Sequence, residues 1–178
     1  MFKHIITQIN FVLALLSFPS RELGRNPFVS LWLCGRKGIQ MKQQTLAILK
    51  PDCLEKKIAG KVTQHITDAG FEIKGMRLMK LTKESAEKFY GVHRGKPFFE
   101  SLIIYITSGP VIPMVLEKEN AVEDFRKLIG ATDPKKAEEG TIRKLYADSV
   151  EKNIVHGSDS SENSVIEIKH FFKDSELI

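Results

Sequence analysis

One histidine, His156, ends a short β-branched apolar run in NIVHGSDS (residues 153–160), directly before a Gly-Ser-Asp-Ser turn typical of a helix start. An imidazole with an unperturbed pKa of about 6.5 is largely neutral at pH 7, so it offers a nitrogen lone pair without a separate base. Glu167 lies two turns into the helix that would follow. A lone histidine is more often a structural or surface residue, so spacing alone leaves a catalytic role for His156 open.

Two further stretches carry cations. Lys50 in ILKPDCL stands where a buried strand ends in a proline turn, which would aim its ammonium at the sheet edge; the alternative is a solvated strand end. The stretch FYGVHRGKPFF (residues 89–99) interleaves rings with cations. Rings stack on a base while cations meet phosphates, so this pattern suits a nucleotide-like ligand. Core aromatics beside a basic loop are the alternative. The residues of interest in this stretch are Tyr90, His93, Arg94, Lys96, Phe98 and Phe99.

A third cluster surrounds the polar loop 131–140 and the following GTIRK: Arg126, Thr132 and Arg143. A guanidinium presents a planar fork that matches phosphate oxygens in two-point contacts, and a threonine hydroxyl can add another. Surface arginines are common, so each residue alone is a weak indication. The two cysteines, Cys34 and Cys53, show no paired metal-ligand spacing and form no disulfide framework, which favours a reducing compartment.

The elements that must position these residues alternate in type. Residues 45–50 read as a buried strand stopped by proline, residues 57–69 as a helix closed by Gly70, and residues 71–81 as a half-buried strand. Thr82 can cap a helix that runs toward Tyr90. The apolar run LIIYITS (residues 102–108) fits a helix or a strand.

The second half continues the alternation. Residues 110–118 read as a third strand, whose second proline argues for an edge or a bulge. A third amphipathic helix carries Val122 to Ile129 and ends at Gly130. NIVHGS is a fourth strand, and SENSVIEIKHFF a final helix with Val165, Ile168 and Phe172 on one face. The order is β-α-β-α-β-α-β-α in outline, with a split β-α-β character.

Charge divides the chain. Of 27 basic and 22 acidic residues, residues 1–40 hold five and one, so residues 41–178 hold 22 and 21 and are nearly neutral. Residues 1–40 keep no long period, and FVLALLSF is far short of the roughly 20 residues that span a bilayer. We expect one domain over 41–178 and an N-terminal extension over 1–40 that is disordered, is a targeting segment or is upstream sequence before a true start at Met41.

Several ordered motifs within residues 41–178 resemble nucleoside diphosphate kinases: ILKPD, YxxHRGKPFF, SGPVIPMV, GTIRK and NIVHGSDS with its following helix. Asp133 stands where that family more usually has Asn. The resemblance implies that His156 is the phosphorylated nucleophile and that Glu167 orients it. It assigns phosphate contacts to Lys50, His93, Arg126, Thr132 and Arg143, puts Tyr90 at the pocket wall, makes Phe98 and Val150 a clamp on the base, and gives Asn153 and Lys50 the sugar hydroxyl.

The same resemblance implies a ferredoxin-like α+β sandwich, in which helices pack on a four-stranded antiparallel sheet. It implies ATP and nucleoside diphosphates as substrates, Mg²⁺ carried on their phosphates without direct protein ligands, a hexamer or tetramer of identical subunits, and a cytoplasmic location unless 1–40 is a transit segment. A nucleic-acid-binding module of similar fold would need a basic face, which the nearly neutral 41–178 argues against, and no membrane partner is expected. A catalytically silent interaction protein would lack the histidine.

Overall fold

The computed structural model describes residues 42–178, so the expectations for residues 1–40 lie outside the described part of the chain. Strands alternate with helices along this segment. The strands are β1 (Gln43–Leu49), β2 (Glu72–Met76), β3 (Met79–Lys80), β4 (Pro110–Lys118) and β5 (Val155–Gly157). The helices are α1 (Pro51–Glu55), α2 (Ala59–Asp68), α3 (Lys83–Phe89), α4 (Phe99–Thr107), α5 (Ala121–Ile129), α6 (Ile142–Tyr146) and α7 (Ser161–Phe171), with 3₁₀ turns at Gly91–His93 and Asp174–Glu176.

The strands form an antiparallel sheet in the order β2-β4-β1-β5, and the two-residue β3 also pairs with β4. This arrangement confirms the predicted α+β fold with helices on an antiparallel sheet. Strand β1 lies inside the sheet and pairs with β4 and β5, so Ile48 has Pro113 on one side and His156 on the other. The internal strand therefore holds the histidine strand in register.

The prediction of an edge position for Pro113 is wrong, because β4 is an internal strand. The alternative, a bulge, is closer to the structure: the pairing of β2 with β4 shifts between Ile73 and Gly75, and β2 ends at Met76, opposite Met114. Beyond that end, Pro113 carbonyl accepts the Arg77 N–H at 3.2 Å. The expected single strand 71–81 is therefore broken into β2 and β3. A proline, which donates no ladder hydrogen bond, is tolerated where the neighbouring strand breaks.

Several helix predictions need correction. The expected helix 57–69 begins at Ala59 and is preceded by the separate α1, because Lys57 adopts a left-handed φ of 58° that interrupts the helical path. The ambiguous LIIYITS is helical, within α4. The short α6 was not predicted. Helix α3 has the expected cap, since Thr82 Oγ1 accepts the Ser85 N–H at 3.1 Å. Such caps typically contribute about 1 kcal/mol.

Alternation along β1 divides the core into two clusters. Ala47 and Leu49 pack with α2 and α5, whereas Leu46 and Ile48 pack with α3, α4 and α7. On α7, Ile168 and the following Phe172 are buried as expected, but Val165 is 52% exposed, so its predicted place on the apolar face is wrong. The prediction failed because Phe171, rather than Val165, completes the buried face. In the part of the chain that the structure describes, no helix is long and apolar enough to cross a bilayer.

Candidate active site

His156 lies in the middle of β5 and faces the α3 side of the sheet. Its neighbours Val155 and Gly157 face the opposite cluster, because side chains alternate along a strand. A β-carbon at Gly157 would lie 2.8 Å from the Phe125 ring, so only glycine fits after the histidine. The imidazole is 22% exposed. It is therefore held by the sheet and still reachable by a ligand.

Glu167 contacts the histidine from α7. Its Oε2 accepts a hydrogen bond from His156 Nε2 at 3.1 Å and another from Ser158 Oγ at 2.6 Å. Ser158 is fully buried and tied to β1, since its Oγ also accepts the Leu46 N–H. Ser160 caps α7 by accepting the Asn163 N–H at 3.1 Å, so the HGSDS turn starts the helix that carries the carboxylate. Ser158 was not predicted as a site residue. Its position two residues after His156, on the same face of the predicted strand, could have indicated it.

An aromatic wall lines the other side of the imidazole. The Phe89 ring meets His156 edge-on at 5.4 Å, and the buried Tyr90 ring lies 6.3 Å away. Tyr90 stacks on His93 at 6.4 Å, and His93 lies 5.5 Å from Phe98, which is 48% exposed. A continuous row of rings thus leads from the histidine to an exposed phenyl face. Phe89, at the end of α3, was not identified from the sequence.

Lys50 is 7% exposed, which excludes a solvated strand end. Its Nζ donates to Asn153 Oδ1 at 2.6 Å and lies 5.8 Å from the centre of the Tyr105 ring. Asn153 Nδ2 in turn donates to the Thr132 carbonyl at 3.3 Å. Two residues predicted to contact a sugar hydroxyl thus contact each other, and they connect to the polar loop that carries Thr132.

Arg143 lies on α6 and is buried, and its guanidinium connects two backbone segments. Nη1 donates to the Gly130 carbonyl at 2.8 Å and Nη2 to the Val155 carbonyl at 2.9 Å. Gly130 adopts φ +82° at the end of α5, a conformation that glycine allows and that ends the helix. Nε is buried and has no hydrogen-bond partner within residues 42–178. The guanidinium is fixed in place while some of its N–H groups stay unused.

Burial and the neighbouring positive charges lower the pKa values of several basic groups in the site. Burial, followed by the charge of Arg143, lowers the pKa of Lys50 to about 8. Burial and the charge of Arg126 lower the pKa of Arg143 to about 10. Burial and then Lys96 lower the pKa of His93. These closely spaced cations repel one another, and a bound polyanion would offset that repulsion. The electrostatics therefore favour a phosphate-bearing ligand.

The predicted site residues divide by how they are held. One group is the row of rings together with the carboxylate that contacts it: His156, Tyr90, His93 and Phe98, with Glu167. A second group of Lys50, Asn153, Thr132 and Arg143 is linked through hydrogen bonds to the segments around β5. Arg126 is exposed and is coupled to Arg143 by charge. Val150 is 55% exposed and lies at a turn in which the Lys152 carbonyl accepts two N–H groups.

Direct metal ligands are scarce in this region. Within residues 42–178, no group of three or more His, Cys, Asp or Glu side chains is arranged to hold a metal ion. The site is lined by Lys50, Arg143 and Arg126, which would repel a bare cation. These residues fit a metal that arrives already bound to phosphate oxygens.

Comparisons with known proteins agree with this geometry. Residues 43–177 match the family model for nucleoside diphosphate kinase. Over 136 residues, 76% of this chain, the chain is 57% identical to the nucleoside diphosphate kinase of Chlorobaculum tepidum, covering 97% of that protein. Over the same length it is 53% identical to the Salinibacter ruber enzyme, covering 96% of it.

Two solved structures show the same fold. Nucleoside diphosphate kinase from Aquifex aeolicus superimposes with a TM-score of 0.76 at 38% identity, covering 78% of this chain and all of that one. The Halobacterium salinarum enzyme, solved in complex with CDP, gives 0.75 at 36% identity and covers 78% of this chain and 92% of that one. With the family model matched across residues 43–177, the chain belongs to the nucleoside diphosphate kinase family.

Proposed function

We propose that this enzyme transfers the γ-phosphate of a nucleoside triphosphate, typically ATP, to a nucleoside diphosphate by a ping-pong mechanism through phosphorylated His156. The observation that carries the proposal is the contact between His156 Nε2 and Glu167 Oε2. A carboxylate accepts a proton but donates none when ionised, so the ring proton lies on Nε2. The lone pair is then on Nδ1, which makes no hydrogen bond within the described residues.

The reaction would proceed in two similar steps. The Nδ1 lone pair attacks the γ-phosphorus, a P–N bond forms, and the bond to the β,γ-bridging oxygen breaks, so that the nucleoside diphosphate leaves. A second nucleoside diphosphate then attacks the phosphohistidine with its terminal phosphate oxygen, and the P–N bond breaks. Glu167 stabilises the charged ring in both steps without itself reacting.

The cations supply the electrostatic part of the catalysis. In a loose phosphoryl transition state, negative charge lies on the peripheral oxygens, so fixed cations around them lower the barrier. Lys50, Arg143 and Arg126 are the candidates for this role, with Thr132 and His93 as further phosphate contacts. Mg²⁺ carried with the nucleotide would neutralise part of the phosphate charge.

Nucleotide selection would be broad. Phe98 exposes its ring at the end of the aromatic row, and stacking on a ring face does not distinguish one base from another. Val150 would close the other side of the base, and Lys50 with Asn153 would contact the sugar hydroxyl. Assembly as a hexamer or tetramer and a cytoplasmic location are further parts of the proposal, and both follow from the family rather than from the geometry.

Initial-rate kinetics test the two-step scheme. With the diphosphate fixed at several concentrations and ATP varied, double-reciprocal plots should be parallel, since the first product leaves before the second substrate binds. Intersecting lines would indicate direct transfer between two bound nucleotides and would contradict the phosphohistidine proposal.

A further inference from the structure

A buried carboxylate lies beneath the candidate active site and takes no part in the mechanism above. Asp52 follows the proline that ends β1 and is only 2% exposed. Its Oδ1 accepts the Cys53 N–H at 3.0 Å, and its Oδ2 accepts the Ile154 N–H at 2.9 Å. The first bond is local to α1. The second reaches 102 residues along the chain, to the segment that carries the histidine.

Ile154 has an unusual backbone conformation. Its φ is +71°, in the left-handed region that β-branched residues strongly disfavour. Both backbone groups of Ile154 are held: its N–H by Asp52, and its carbonyl by the Lys50 N–H at 2.8 Å. Strained conformations of this kind persist only where the surroundings fix them, and they concentrate at functional sites.

The strained residue stands between two parts of the site. Asn153 precedes it and accepts a hydrogen bond from the Lys50 ammonium, while His156 follows two residues later. A change of φ and ψ at Ile154 would turn the Asn153 side chain and β5 relative to each other. We propose that Asp52 is a positioning residue for phosphoryl transfer, whose carboxylate holds the backbone of Ile154 and thereby fixes Asn153 and His156 in one arrangement.

The charge of Asp52 provides a readout that distinguishes positioning from simple stabilisation. Lys50, with a pKa of about 8, is surrounded by Arg143, which lowers that pKa, by Asp52 and Glu151, which raise it, and by the Tyr105 ring. The proton on Lys50 is lost as the pH rises through that value, so kcat/KM should fall on the alkaline side. Removing the Asp52 charge lowers the pKa of Lys50 further and moves this fall to lower pH.

The test uses Asp52→Asn in the full chain and rests on the proposed function. The amide keeps the size of the side chain but leaves only one carbonyl oxygen for two backbone N–H groups. The measured quantity is kcat/KM for phosphorylation of His156 by ATP from about pH 6 to about pH 10, which reports the free enzyme. We expect a loss of kcat/KM on the order of tenfold near neutral pH, as for losing a hydrogen bond to a charged group, and an alkaline limb that moves to lower pH.

Val62→Ala is the matched control. Val62 is fully buried on α2, in the same core cluster as Ile154. Truncating it should lower the stability of the fold and leave the charges around Lys50 unchanged. The control should keep the alkaline limb of the unmodified enzyme. An unchanged limb in Asp52→Asn, with a loss no larger than that of an equally destabilised Val62→Ala, would overturn the inference. If Asp52→Asn does not fold, Asp52→Ser is subject to the same comparison. Absence of His156 labelling in the unmodified enzyme would instead count against the proposed function.

Discussion

Glu167 Oε2 lies 3.1 Å from His156 Nε2 and is also the acceptor for Ser158 Oγ. The carboxylate thus joins His156 to a buried serine that is itself hydrogen-bonded to β1. This contact restricts the rotation of the imidazole, and in the proposed mechanism it leaves Nδ1 as the attacking nitrogen.

Replacing Glu167 by Gln should lower kcat about 10- to 100-fold, as expected for losing a hydrogen bond to a charged group, but should leave measurable turnover because the nucleophile remains. Steady-state assays with excess ATP test this. Glu162→Gln, at an exposed position in the same helix, should behave like the unmodified enzyme. If Glu167→Gln is as inactive as His156→Ala, the role of Glu167 is more than orientation.

The motifs that carry the candidate site residues were readable from the sequence because their chemistry is local. NIVHGSDS combines a β-branched strand, a histidine and a helix cap within eight residues, and the structure has β5 and α7 in that order. The burial of Lys50 was harder to predict, because its hydrogen-bond partner Asn153 is distant in the sequence. The clamp and phosphate roles remain predictions.

Errors in the fold arose where tertiary contacts override local pattern. Pro113 is accommodated inside the sheet because β2 ends at Met76, one residue before the position opposite Pro113, which no property of residues 110–118 indicates. Helix α6 is only five residues long, so Ile142, Leu145 and Tyr146 show helical spacing over little more than one turn, which is too short to predict a helix from the sequence. The contact of Asp52 with Ile154 likewise crosses 102 residues of chain.

The exposed Phe98 ring gives a second prediction. Phe98→Ala should weaken nucleotide binding by about 1–3 kcal/mol, the range for losing one base–aromatic stack. Purine and pyrimidine nucleotides should be affected in the same direction. Calorimetric titration with ADP and CDP measures the effect, and Val92→Ala, an exposed apolar residue of the same segment, is the control. A loss confined to one base type would indicate readout of base edges.

The fork of Arg143 gives a third. Arg143→Lys should reduce activity despite unchanged charge, because one ammonium cannot replace a planar fork that spans the Gly130 and Val155 carbonyls. Leaving a buried carbonyl unpaired should also cost about 1–3 kcal/mol of unfolding free energy. Denaturant melts and kcat/KM report the two effects. Arg77→Lys, in a partly exposed ion pair with Glu176, should change each only slightly. Normal turnover and stability in Arg143→Lys would contradict this role.

The domain boundary gives a fourth. A chain of residues 41–178 should fold, match or exceed the full chain in specific activity, and keep its oligomeric state, because the motifs and the family match lie within it. The full chain should associate more than the shorter chain, because it adds the apolar run FVLALLSF and Trp32. Light scattering and activity assays on both chains decide this. A clear loss of activity or assembly in the shorter chain would show that residues 1–40 contribute to the domain.

The most direct measurement follows the phosphoryl group itself. The enzyme is incubated with ATP labelled in the γ-phosphate, freed of nucleotide, and then given an unlabelled nucleoside diphosphate. We expect acid-labile, alkali-stable label on His156, which the diphosphate removes as labelled triphosphate. His170→Ala, which alters another partly buried ring beside Phe89, should still take up label, whereas His156→Ala should not. Label that persists in His156→Ala, or label on His156 that no diphosphate can remove, would contradict the mechanism.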